Sequence, residues 1–203
     1  MRKDTVCAKS DFFSAACKKE WLGEEKEKTI PVPEVLPDIF TLYAHWAYSG
    51  EVDLTILDDD RQAEEAAGLG DGYKSMSSKR RYLKQNRLVK LHIAADFLGD
   101  VPLKKQTIDL LTGTIGSVGL ILNASHLNSI WEHTSHESGL RLLYLDYFIF
   151  KPVERLNLAK NKDELDPDLF FDPAMRQLSP LVGKTTARDR LRRSESYYDT
   201  PDP

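Results

Sequence analysis

The residues in this sequence best suited to chemistry are its histidines and its two cysteines. His126, His133 and His136 lie close together in the chain, and the His133–His136 spacing is one that metal ligands use. No cysteine follows nearby to complete a familiar zinc pattern, and His133 enters a Ser/Thr-rich turn, so surface histidines are expected and no metal site is assigned. His45 and His92 fall within helical stretches beside apolar residues and read as packed or partly exposed helix histidines. Cys7 and Cys17, placed on one helix, would stand roughly 15 Å apart at about 1.5 Å of rise per residue, too far for a disulfide. Gly68, Gly70 and Gly72 form no phosphate cradle, because no strand leads in and no Gly-Lys-Ser/Thr opens a helix. Asp58 to Asp60 read as a solvated acidic run. There is no Gly-x-Ser-x-Gly elbow, no His-Glu-x-x-His and no Cys-x-x-Cys. No catalytic residue, cofactor site or small-molecule substrate is expected. In the tail, "RDRLRRSES" sets serines behind a basic cluster; a solvated tail is the expected reading, with phosphorylation at Ser194 or Ser196, or weak nuclear targeting, as the functional ones. "DLFFDP" places Leu169, Phe170 and Phe171 among acids as a short island that either docks in a groove or is simply disordered.

The chain of 203 residues carries 41% hydrophobic and 30% charged residues, enough for one domain with appendages. A formal charge of -4 argues against a nucleic-acid binder, which needs a concentrated basic face. No apolar leader and no apolar run of about 18 residues is present, so a membrane span is not expected, and an intracellular setting, cytoplasmic or nuclear, is the default.

Val6, Ser10, Phe13 and Cys17 recur at i, i+4, i+7 and i+11, which predicts one opening helix with a buried face. "TIPVPEV" at 29–35 alternates but holds Pro31 and Pro33, and predicts a short edge strand. From Pro37, suited to a first turn, Phe40, Tyr43, Ala44 and Ala47 follow a helical stripe that Gly50 ends. Residues 55–82 lack periodicity and read as an insertion loop. Leu88, Val89, Leu91, Ile93, Ala95, Phe97 and Leu98 make a stripe so broad that their helix should be buried on most sides. Past "GDVPL", Ile108, Leu111 and Ile115 mark a second helix, so 83–115 should form a helical hairpin. "LNSIWEH" predicts a short helix, and Leu140, Leu143, Tyr144, Tyr147 and Phe148 predict another. The expected organisation is a body over 1–150 and a low-order charged tail over 151–203.

"RKDTVCAKSDFFSAAC" resembles the first helix of a BTB/POZ domain, with Lys3, Val6, Ser10 and Phe13 in matching positions and Arg2 where the family prefers His. "TIPVPEVLPDIFTLYAHWAYSGEVDL" resembles the strand, Pro-led helix and Tyr-Thr-Gly turn that follow, with Tyr48, Ser49 and Gly50 in the turn. Leu36 departs from the usual Asp, so the N-cap side chain is missing. "RLVKLHIAADFLGDVPLKKQTIDLL" is similar to the closing hairpin. "IWEHTSHESGLRLLYLDYFIF" and, more weakly, "DELDPDLFFDP" are similar to an extension found in BTB proteins of filamentous fungi. The resemblance implies a mostly α (α+β) fold, a BTB/POZ-like helical bundle with a residual edge strand.

It also implies a non-enzymatic protein-interaction module, with an adaptor for a cullin-based ubiquitin ligase as the leading version and self-association as the other partner class. The alternatives are a transcription-associated dimerisation module or a decayed copy without activity. By family position, a partner would meet Tyr43, Trp46, Ala47, Tyr48, Ser49, Glu51, Val52 and Leu88. The family's opening strand hairpin is not in the sequence, and Arg2, Lys3 and Asp4 join the pattern without transition. A true start upstream of Met1 is therefore expected, ahead of a shortened variant or a relic.

Overall fold

A computed structural model describes residues 3–18, 30–32, 34–57, 76–118, 124–150 and 190–198. The described residues are mostly helical. In chain order they form α1 (Lys3–Cys7), α2 (Asp11–Ala16), α3 (Pro37–Ser49), a 3-10 turn at Leu54–Ile56, α4 (Met76–Phe97), α5 (Val101–Val118), α6 (Ala124–His133), α7 (Gly139–Phe150) and a 3-10 turn at Ser194–Tyr197.

The expected single opening helix is two short ones. Ser10, placed on the apolar stripe by its spacing, is instead the N-cap of α2: its Oγ accepts from Phe13 N at 3.2 Å and donates to Leu98 O at 2.6 Å. Phe12 N also donates to Leu98 O, at 3.3 Å. A buried serine satisfied by a carbonyl at the end of α4 gains more from that bond than from continuing α1, because an unpaired buried hydroxyl is costly. Phe13 still turns inward, stacking on Tyr43 at 6.2 Å between ring centroids.

The expected strand is not found among the described residues. Ile30, Pro31 and Val32 are irregular, while Thr29 and Pro33 lie outside the described residues. The physical reason is that proline supplies no ladder donor and a strand needs a neighbour to pair with. The helix α3 begins at Pro37 with no side-chain cap from Leu36, and ends where Gly50, at φ 78°, donates its N–H to Trp46 O.

The helix α4 starts at Met76, so the last part of the expected insertion loop is helical; 58–75, including Asp58 to Asp60 and the three glycines, lies outside the described residues. This 22-residue helix is the axis of the fold. Leu91, Ala94 and Leu98 join Ile39, Tyr43 and Trp46 in one apolar cluster, whereas Leu88 and Val89 join Leu111, Ile130 and Tyr144 in a second. Its broad stripe is thus spent on two cores. Between α4 and α5 the chain turns at Gly99, φ 66°, where a Cβ would stand 3.0 Å from Asp11 Cβ. Asp100 caps α5 by accepting from Leu103 N at 3.1 Å.

The tail also departs from expectation. Residues 190–198 pack on α5 and α7, and Tyr197 is 1% exposed within the second core. The rest of 151–203, including the Leu169–Phe171 island, lies outside the described residues.

Candidate functional site

Of the eight expected partner-contact residues, Tyr43, Trp46, Ala47 and Leu88 are buried. Packing demanded them: each faces α4 or the helices around it, so none offers a surface to another protein. What remains accessible is the end of α3 and the turn after it, where Tyr48 is 52% exposed, Ser49 and Glu51 are exposed and Val52 is half-buried.

That turn is internally tied. Ser49 Oγ accepts from Glu51 N at 3.1 Å and lies 3.0 Å from both His45 O and Glu51 O. Asp53 accepts from Thr55 N at 2.8 Å and from Thr55 Oγ1 at 2.6 Å, and the Thr55 hydroxyl bond holds its carboxyl below the usual range. Gln106 Nε2 donates to Gly50 O at 3.4 Å, which sets the turn against α5. Leu110, one helical turn beyond Gln106, is 39% exposed on the same side of that helix. On the other side, Lys9 Nζ sits 4.1 Å above the Trp46 ring and 3.4 Å from Trp46 O, so a cation closes the C-terminal end of α3. The result is a tied turn carrying Ser49 and Glu51, with Tyr48 exposed just before it, beside the Gln106–Leu110 face of α5.

The histidines do not converge. His126, expected at the surface, is 2% exposed, with Nδ1 3.0 Å from Asn86 Oδ1 and Nε2 2.7 Å from Tyr144 Oη. Burial pushes it down to about 3, so it is a neutral ring that donates through one nitrogen and accepts through the other. His133 Nδ1 bonds Ser129 O at 2.9 Å, and His136 Nδ1 faces Arg141 Nη1 at 3.1 Å. His92 is buried against Thr107 Oγ1 at 2.9 Å, a packed helix histidine. Among the described residues no three His, Cys, Asp or Glu side chains are grouped as a metal requires; Cys7 and Cys17 form no disulfide, and Cys7 Sγ donates to Phe13 O at 3.4 Å.

A half-open cavity of about 250 Å³ lies between the start of α3, α4 and α6, with Leu36 and Ile93 among its apolar walls and Glu34, Lys90, Ser129 and His133 as its polar groups. A second polar cluster is sealed beneath α2. Asp100 is 0% exposed, and burial pushes its carboxyl up to about 6; Tyr43 lies beside it, and burial pushes that hydroxyl up to about 12. Sequence reading missed Asp100 and Asp146 and placed His126 at the surface. Asp146 and His126 are polar residues of helices and Asp100 stands in the break between α4 and α5, and only the fold turns them inward.

Ser194 and Ser196, both half-buried, lie in the 3-10 turn of the docked tail. There Arg190 grips Asp146 with Nε at 2.6 Å and Nη2 at 2.5 Å, and Tyr197 Oη donates to the same carboxylate at 3.1 Å.

Comparison with family models, with curated proteins and with solved structures finds no match for this chain. What the fold defines is a mostly helical protein with a fixed surface turn at 48–53 and a docked C-terminal segment. Among the described residues no helix is long and apolar enough to cross a membrane.

Proposed function

We propose that this chain is a non-enzymatic protein-interaction module of the BTB/POZ type, acting in the cytoplasm or nucleus, with a cullin scaffold as its leading partner. The observation that carries the reading is the half-exposed Tyr48 at the end of α3, beside a turn that is tied by its own hydrogen bonds and set against α5. A large aromatic held at low conformational cost is the kind of residue that anchors an interface. The motif order in the sequence supports the family, and the helical hairpin α4–α5 beside that turn supports the same choice of surface. Tyr48, Ser49 and Glu51 are the contact residues in this reading, while Tyr43, Trp46, Ala47 and Leu88 hold the helices that present them.

The test is direct binding to the purified N-terminal domain of a cullin by biolayer interferometry, with light scattering run alongside. Tyr48→Ala and Glu51→Lys should each weaken binding at least tenfold while the chain stays folded by circular dichroism, since both side chains reach the surface. Retained self-association with no cullin binding removes the ligase-adaptor version.

A further inference from the structure

The docked tail has the chemistry of a bound peptide. Residues 151–189 lie between α7 and Arg190, and the segment that returns is anchored by side chains rather than by a long regular element. Arg190 meets Asp146 in a two-bond fork, Tyr197 enters the core and donates to the same carboxylate, and Tyr198 Oη donates to Asp109 Oδ1 at 2.7 Å. Lys105 Nζ stands 5.4 Å from the Tyr198 ring. Between these anchors Arg192, Arg193 and Glu195 are exposed.

Asp146 is 0% exposed, and the partners recorded for it among the described residues both come from the tail. A carboxylate so placed requires a planar bidentate cation, which arginine supplies and lysine does not. The groove floor is acidic at Asp146 and Asp109, and the occupant carries Arg190, Arg192 and Arg193 against Glu195, so charge favours it as well as shape.

We propose that the groove between α5 and α7 is a peptide-recognition site for an arginine followed seven residues on by a tyrosine, filled in cis by Arg190–Tyr198 and open to a partner peptide of the same chemistry. A short segment with exposed residues between its anchors belongs to the low-stability end of a structure, where local opening precedes global unfolding. Tethering through 151–189 gives it an effective concentration of about millimolar or less, so a partner segment must bind tightly or be locally abundant to replace it. The tail therefore covers the site until such a partner arrives. This inference does not depend on the cullin reading, because it uses other residues.

The probe is a fluorescein-labelled synthetic peptide of residues 188–200, read by fluorescence anisotropy. The acceptors are the native full chain and the full chain carrying Arg190→Ala with Tyr197→Ala. The expected result is saturable binding to the double variant, at least tenfold weaker binding to the native chain, and loss of binding when Asp146→Asn is added or when the peptide lacks its arginine. Equal binding to both chains, binding indifferent to Asp146, or no binding to a folded double variant overturns the proposal. Hydrogen exchange on the native chain decides the matter if the double variant does not fold. Amides of 193–198 opening at least a hundredfold more often than those of α7 support a replaceable segment, and exchange in step with α7 overturns it.

Discussion

Replacing Arg190 with alanine removes both bonds of the fork at 2.6 and 2.5 Å and leaves a carboxylate that is 0% exposed with the Tyr197 hydroxyl. Each charged hydrogen bond is worth about 1.5–3 kcal/mol, and orphaning a buried charge costs about 3–5 kcal/mol. The Arg190 side chain is 24% exposed, so water already shares part of its charge, and the lower end of the range applies. The expected loss is about 3 kcal/mol, two powers of ten in the folding equilibrium. A ceiling also exists: once the tail undocks, Asp146 hydrates, so no single change in this contact can cost more than the docking free energy of the segment. Asp146→Asn should cost less than Arg190→Ala, because the freed guanidinium can reach water. The double variant should recover at least about 1 kcal/mol relative to the sum of the singles, since the two groups touch. Urea unfolding followed by circular dichroism measures all four proteins, and Arg190→Ala should shift the midpoint by more than about 1 M at the usual slopes. A shift within error, or strictly additive singles, would refute the reasoning that Asp146 depends on the tail.

Gly99→Ala should cost about 2 kcal/mol or more, since φ 66° is strained for any other residue and the new Cβ meets Asp11 Cβ at 3.0 Å. Gly50→Ala, at φ 78° with nothing within 4 Å, should cost only about 1 kcal/mol; thermal melting that ranks the two in reverse would deny α2 its close seat on the hairpin turn. Two buried groups act on pH in opposite senses. His126, down at about 3 from 6.5, holds fewer protons folded than unfolded, so stability falls as pH drops below about 6.5, by about 2 kcal/mol at pH 5. Asp100, up at about 6 from 3.8, holds more protons folded, so its contribution is present below about pH 4 and is lost as pH rises through 6. Lys9 and Asp11 modify it with opposite signs. Melting curves from pH 4 to 8 should therefore show Asp100→Asn steepening the acid-side loss and His126→Gln removing it; parallel profiles for both variants and the native chain would contradict these burials.

Local pattern made much of the helical framework legible. The Phe40–Ala47 stripe, Pro37 at the first turn and Gly50 in a left-handed stop gave α3 within its observed bounds, because those signals are set by residues three or four apart. The broad stripe of α4 announced a helix buried on several sides, and two cores now account for it. The surface was less readable. Tyr43 and Tyr48 look alike in sequence, yet the first is 0% exposed and the second 52%, because α4 packs on one side of α3 only.

The sequence by itself determined where the hairpin and the α3 and α7 helices lie, since period and punctuation are local properties of the chain. Only the tertiary structure decided the fate of groups whose partners are remote. Ser10 breaks the first helix because Leu98 O lies within reach, His126 is a core hydrogen-bonding ring because Asn86 and Tyr144 enclose it, and the expected strand finds no neighbour among the described residues. Asp146 belongs to this group most clearly. An aspartate among leucines and tyrosines of a helix reads as its solvated edge, and it becomes a buried anchor only when Arg190 and Tyr197 return from the far end of the chain to neutralise and enclose it.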